Sequence, residues 1–185
     1  IFNASVQNAG SGDLNVIAGW NGSTTDIDAF LTADVMDSGM TLFGNNNGSV
    51  FIGSANHTTG VAVGSMDGQT NLFAHNLTLR GSNITHAYAQ LGYHHVSGGS
   101  GIITIGPINV GLTGALTATG GSYGVTNNSN ATSSYVQIGH GGNRRESGLV
   151  SSSWNYTGDI TVAARGDVTF RGGDVVDVYS YSYAQ

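Results

Sequence analysis

An all-β chain coiled as a parallel solenoid is the fold class this sequence predicts, and three observations predict it. A short phrase recurs: YAQLGYHH starts at Tyr88, YVQIGHGG starts at Tyr135 and YSYAQ runs to Gln185, with 47 residues from Tyr88 to Tyr135 and 48 from Tyr135 to Tyr183. INVGLTGALTATGG (108–121) lies over ITVAARGDVTFRGG (160–173) without a gap, matching Ile108 to Ile160, Val110 to Val162, Leu116 to Val168 and Thr117 to Thr169. Finally, 30 glycines stand against a single proline, Pro107. A fixed period marks one structural unit stacked on itself, and Gly-rich punctuation between short apolar runs is the signature of strands and turns.

The elements follow in order. LNVIAG (14–19), SVFIGS (49–54), GVAVGS (60–65), GIITIG (101–106) and DITVAA (159–164) are alternating or apolar runs, each a strand by its period of two. NLTLRGS (76–82) is a shorter copy of the 108–121 match and precedes the first Tyr phrase. Residues 24–37, TTDIDAFLTADVMD, sustain no helical face and read as an inserted acidic loop. Spacers of unequal length fit a solenoid whose loops swell while its core stays in register. At roughly 22 to 25 residues per coil, each repeat spans two coils, and residues 1–185 form a single solenoid segment of about eight coils near 40 Å long.

Within the phrase, Val136 and Ile138 point to one side of a strand and Tyr135 and Gln137 to the other. Ala89 and Leu91 match the first pair, and Tyr88 and Gln90 the second. The small aliphatics face a narrow interior, so Val136, Ile138, Ala89, Leu91, Val110, Val162, Leu116 and Val168 form the expected core. The tyrosines and glutamines face out or stack in rows on adjacent coils. Gly139, Gly141 and Gly142 then give a tight corner.

Composition limits the function. Charged residues make up 9%, Lys+Arg number five and the formal charge is -6, so the basic stripe needed for phosphate or an acidic membrane is missing. Cysteine is absent, which suits export of a β-rich chain to an oxidising compartment and also occurs in the cytosol. No apolar stretch approaches bilayer-spanning length, no signal peptide is visible, and a first residue Ile1 indicates a removed start or a fragment.

GDLNVIAGWNG at Gly12, YAQLG at Tyr88, YVQIGHGG at Tyr135 and GDITVAARGDVTFRGG at Gly158 together resemble the repeats of very large filamentous-haemagglutinin-like bacterial exoproteins. The resemblance covers most of the chain; residues 24–37 and 127–134 are less typical. It implies a right-handed parallel β-helix, secreted to the bacterial cell surface, in such proteins often by a two-partner route, and acting in adhesion or matrix building. The expected partners are further repeats or copies of itself end to end, and host or matrix glycans or proteins. YAQLGYHH departs from the pattern, with Tyr93 and His94 where the family phrase has a small, flexible corner.

Candidate chemistry is sparse. His94 and His95 are adjacent and point apart in a strand, so one metal would need His57 or His140 as well; surface turns are the favoured reading, and no metal or cofactor is expected. Asp26, Asp28, Asp34 and Asp37 fit no EF-hand spacing and read as a solvated loop. NRRESG (143–148) reads as a β-turn, with Arg144 and Arg145 as an alternative acidic-glycan contact. Asp159, Asp167, Asp174 and Asp177 do not form the convergent pair a glycan-cleaving enzyme needs. Nine Asn-x-Ser/Thr triplets begin at Asn3, Asn21, Asn47, Asn56, Asn76, Asn83, Asn127, Asn130 and Asn155. Each is a candidate sugar acceptor, weighed against Asn simply satisfying corners and ladders.

The expected function is therefore a non-enzymatic extracellular rod. The alternatives are a polysaccharide-cleaving β-helix enzyme, marked by a carboxylate cluster on one face, and a phage tail-fibre segment, marked by a trimer. Joining Gln185 to Ile1 gives Tyr183-Ala184-Gln185-Ile1, similar to YVQI at Tyr135, from which neither end is expected to be a natural terminus.

Overall fold

The computed structural model describes residues 1–19, 48–84, 86–95, 100–121, 134–142 and 153–173. Their regular structure is all strand: β1 (Val6–Asn8), β2 (Leu14–Ile17), β3 (Ser49–Ile52), β4 (Val61–Ser65), β5 (Thr70–Ala74), β6 (Asn76–Arg80), β7 (Ala89–Leu91), β8 (Ser100–Thr104), β9 (Ile108–Leu112), β10 (Leu116–Thr119), β11 (Val136–Ile138), β12 (Ser153–Thr157), β13 (Ile160–Ala164) and β14 (Val168–Arg171). Three four-stranded sheets result: sheet 1 is β1-β4-β7-β11, sheet 2 is β2-β5-β9-β13 and sheet 3 is β3-β6-β10-β14. A side sheet pairs β8 with β12. All pairings are parallel. The chain runs through sheets 1, 2 and 3 and returns to sheet 1 one layer on, which makes a parallel β-solenoid.

The number of coils differs from the expected eight. Ala89 pairs directly with Val136, and Ile108 with Ile160, so one repeat of the Tyr phrase is one coil. Four strands per sheet give four described coils, about 20 Å of stack rather than 40. Coil length varies because corners swell: Val61 lies 28 residues before its partner Ala89, and Ala89 lies 47 before Val136. Corner residues also supply the side-sheet strands β8 and β12, one on each of the last two described coils. A sequence period measures the distance between equivalent points and not the number of strands between them.

The register is the one the internal match predicts: Leu116 pairs with Val168, Thr117 with Thr169 and Val110 with Val162. Val50, Ile52, Val61, Val63, Leu72, Leu77, Leu79, Ala89, Leu91, Val110, Leu116, Val136 and Ile138 meet in one core. Each Leu or Ile so buried contributes about 1.5–3 kcal/mol. Two expected core residues depart: Val162 is 38% exposed and Val168 52%. Both hold inward register, but they belong to the last described coil, where no further described layer lies over them.

Polar columns also stack. Asn109 donates to Asn71 and Asn71 to Asn15, each over 2.9 Å, so three layers of sheet 2 are joined by an amide ladder. Gly64, near the end of β4, and Gly92 and Gly139, just after β7 and β11, form a second column in sheet 1. A Cβ on Gly92 would stand 2.2 Å from the carbonyl oxygen of Gly139, and Gly92 has φ of 134°. Only glycine lets the coils approach this closely at the corner.

The start of the chain does not continue the Tyr phrase. Phe2 bridges to Ile52, its N–H donating to Phe51 and its carbonyl accepting from Gly53. Residues 1 and 2 therefore lie against sheet 3, whereas the phrase YVQI builds sheet 1; Tyr183, Ala184 and Gln185 lie outside the described residues.

Candidate functional site

The recurring phrase is a strand with a corner that folds back over it. Tyr88 and Tyr135, on the outer side of sheet 1, stack with ring centroids 5.1 Å apart and planes 11° apart, and His94 stacks on Tyr88 at 4.4 Å. Although they face away from the core, Tyr135 is fully buried and Tyr88 nearly so, packed with Ala62 as a second apolar cluster. The geometry of Gln90 accounts for the glutamine that recurs in the phrase. Its Nε2 donates to the carbonyls of Gly139 (2.7 Å) and Gly141 (2.9 Å), one coil further on, so it fastens the next corner. Gln137 reaches its own corner, donating to the His140 carbonyl at 3.2 Å.

Histidines tie the coils at the same corner. His140 accepts the Tyr93 N–H at Nδ1 (3.1 Å) and donates from Nε2 to the Gly106 carbonyl (3.0 Å), using both ring nitrogens between the last two coils. Burial lowers its pKa below the ordinary value, opposed by the Gly106 bond. His95 bonds Tyr156 through Nδ1 at 3.0 Å, and the Tyr156 hydroxyl donates to the His95 carbonyl. His57 accepts the Ser54 N–H at Nδ1 and bonds the Tyr88 carbonyl through Nε2 at 3.0 Å. The unusual corner at Tyr93 and His94 thus keeps the glycine geometry at Gly92 and spends its larger side chains on stacking and inter-coil bonds. Each of these histidines has a structural contact, and among the described residues no three His, Asp or Glu side chains gather as a metal site.

The carboxylates are separated along the stack. Asp13 caps its neighbour by accepting the Gln69 N–H at 2.8 Å. Asp159 and Asp167 lead into β13 and β14, where their main-chain carbonyls accept from Ile108 and Leu116. Residues 24–37 with Asp26, Asp28, Asp34 and Asp37, the stretch 143–148 with Arg144 and Arg145, and Asp174 and Asp177 all lie outside the described residues.

Of the nine Asn-x-Ser/Thr positions, Asn3, Asn56, Asn83 and Asn155 are exposed. Asn3, Asn56 and Asn83 sit on the same edge of the solenoid, where sheet 3 hands over to sheet 1: Asn3 just before β1, Asn56 before β4 and Asn83 before β7. Asn76 is half-buried at the start of β6 and its Oδ1 accepts the Ala115 N–H at 2.8 Å, which makes it a corner residue. Asn21, Asn47, Asn127 and Asn130 lie outside the described residues. The sequence did not single out the amide ladder or the reach of Gln90 to the next coil; the recurrence of Asn at 15, 71 and 109 was the available signal, visible only once the strands are aligned.

No protein-family model, curated protein or solved structure gives a significant match to this chain.

Proposed function

We propose that this chain is a segment of an extracellular structural and adhesive rod of the bacterial cell surface or matrix, a function carried by stacking and display with no catalysis. One observation supports the reading most: among the described residues, no layer lies over the last coil. Ile160, Val162, Val168 and Phe170 hold the register of buried Ile108, Val110, Leu116 and Ala118, yet are 38–52% exposed on the last described coil. An apolar end in core register is a template for a further coil. Low charge and the paired backbone of the sheets suit a stiff, solvent-tolerant rod. The exposed edge bearing Asn3, Asn56 and Asn83 is where surface sugars would be carried.

The test is sedimentation of the 185-residue chain across concentration together with electron microscopy. Association into elongated particles, lost when Val168 and Phe170 are both replaced by Asp, is the expected result. A monomer at every concentration would count against end-to-end assembly of copies, and assemblies of spherical shape would count against the rod.

A further inference from the structure

We propose that the corner Arg165-Gly166-Asp167 binds a cation-dependent adhesion receptor, a protein that offers a carboxylate to the Arg165 guanidinium and a divalent cation with an open position to the Asp167 carboxylate. The proposal rests on the adhesive-rod reading and names a partner class for it. The tripeptide is the whole connection between sheets 2 and 3 on the fourth described coil, since β13 ends at Ala164 and β14 starts at Val168. Its backbone is tied to the coil beneath at every residue. The Arg165 N–H donates to the Leu112 carbonyl (3.1 Å), the Gly166 N–H donates to the Gly114 carbonyl (2.9 Å), and the Asp167 carbonyl accepts from the Leu116 N–H (2.9 Å). A Cβ at Gly166 would stand 2.9 Å from the Gly114 carbonyl carbon, so glycine is what lets the corner sit this close.

The two charged side chains point apart. Ala164 holds the register of buried Leu112, and Val168 that of buried Leu116, so both face inward. Side chains alternate along a strand, which turns Arg165 outward from sheet 2 and Asp167 outward from sheet 3. Sheets 2 and 3 wrap one core, so the corner between them is convex and the two outward directions diverge. Arg165, Gly166 and Asp167 are all exposed, and neither charged side chain has a hydrogen-bond or ion-pair partner among the described residues. The fold asks for only part of this arrangement. Gly-Asp also leads into β2 as Gly12-Asp13 and into β13 as Gly158-Asp159, and Asp13 uses its carboxylate to accept the Gln69 N–H of the next coil. The matching corner of the third coil is Thr113-Gly114-Ala115, so neither the guanidinium nor the carboxylate is needed to make the turn. Guanidinium forks pair with carboxylates, and carboxylate oxygens are ligands that hard divalent cations prefer. Opposite charges that diverge across one glycine are both open to a single partner, and a backbone fixed in advance lowers the entropic cost of binding it.

The experiment passes the 185-residue chain over an immobilised integrin ectodomain, a receptor with this acid-and-cation chemistry, in the presence of magnesium. Binding that is abolished by EDTA and competed by a free Arg-Gly-Asp peptide, but not by an Arg-Gly-Glu peptide, is expected. Asp167→Glu keeps the charge and moves the carboxylate by one methylene, and should lose about tenfold or more in affinity. Asp167→Asn keeps an oxygen able to accept a backbone N–H, so it spares a turn-capping role and should lose binding as fully. Arg165→Gln should lose several-fold, and Asp159→Asn, at the preceding corner, should bind as the parent does. All are surface changes, and an unchanged circular dichroism spectrum verifies the fold. The proposal is overturned if the ectodomain does not retain the chain, if retention survives EDTA, or if Asp167→Glu binds like the parent, which would indicate a diffuse charge effect. Particle shape from the same preparations tests the rod separately: elongated particles that ignore the ectodomain defeat this proposal alone, and compact particles defeat the reading beneath it.

Discussion

The third and fourth coils are built from matching sequence and live in different environments. Leu116 is fully buried and its partner Val168 is 52% exposed; Ile108 is fully buried and Ile160 is 48% exposed. Side-chain direction is the same in both, because the pleat and the register are the same. What differs is the number of layers in contact. The comparison teaches that burial in this molecule belongs to position in the stack, as expected when each unit gains its stability from nearest neighbours.

The largest expected break in that comparison is a paired truncation. Leu116→Ala should cost about 4 kcal/mol, a buried-leucine value, whereas Val168→Ala should cost under about 1 kcal/mol; urea denaturation of both variants measures the contrast. Equal losses would mean that the last described coil is covered in solution by a further layer.

A second contrast lies within one glycine column. At Gly92 an added Cβ meets backbone, the Gly139 carbonyl oxygen at 2.2 Å, while at Gly139 it first meets the flexible Gln137 side chain at 3.2 Å. Both sites have positive φ. Gly92→Ala is therefore expected to lose about 3 kcal/mol and Gly139→Ala about 1 kcal/mol. The midpoints of their denaturation curves check the order.

Gln90 and Gln137 give a smaller difference. Gln90 is fully buried and fastens the next coil, while Gln137 is partly exposed and bonds only within its own corner among the described residues. Gln90→Leu takes the Nε2 donor from the Gly139 carbonyl and leaves the Gly141 carbonyl only the longer His95 N–H bond of 3.4 Å, and should cost about 2 kcal/mol, against about 0.5 for Gln137→Leu. Hydrogen exchange at the amides following Gly139 should rise in the first variant and stay unchanged in the second.

The smallest effect is a pH dependence at the junction of the third and fourth described coils. His140 has a folded pKa lowered by burial, so the unfolded chain binds its proton more readily. Its contribution is complete above the unfolded value of about 6.5 and is lost as pH falls below that value through the folded pKa. The physical reason is that burial disfavours the charged imidazolium, which would also lose the Tyr93 N–H bond that Nδ1 accepts. Melting temperatures of the parent should drop more between pH 7.5 and 5.5 than those of His140→Gln; parallel curves would remove His140 from the account.

The sequence by itself determined the fold class, the parallel repeat and the register. Leu116 over Val168 and Val110 over Val162 follow from an ungapped match, because in a parallel in-register stack like positions must lie over like. It determined the facing of Val136 and Ile138 as well, since a strand has a period of two. It did not determine that Tyr135 and Gln90, on the outer side of their strands, would be buried, because that depends on a corner folding back from another layer. Nor did it determine the coil count: a spacer in one dimension does not say whether it forms a coil, a swollen corner or the side strand β8. The amide ladder of sheet 2 was likewise hidden, since Asn15, Asn71 and Asn109 recur at unequal spacing in the chain and become near neighbours only through stacking. Sequence fixes what each strand offers on its two sides, whereas tertiary structure decides which layer lies over it, because burial and surface pattern are properties of neighbours.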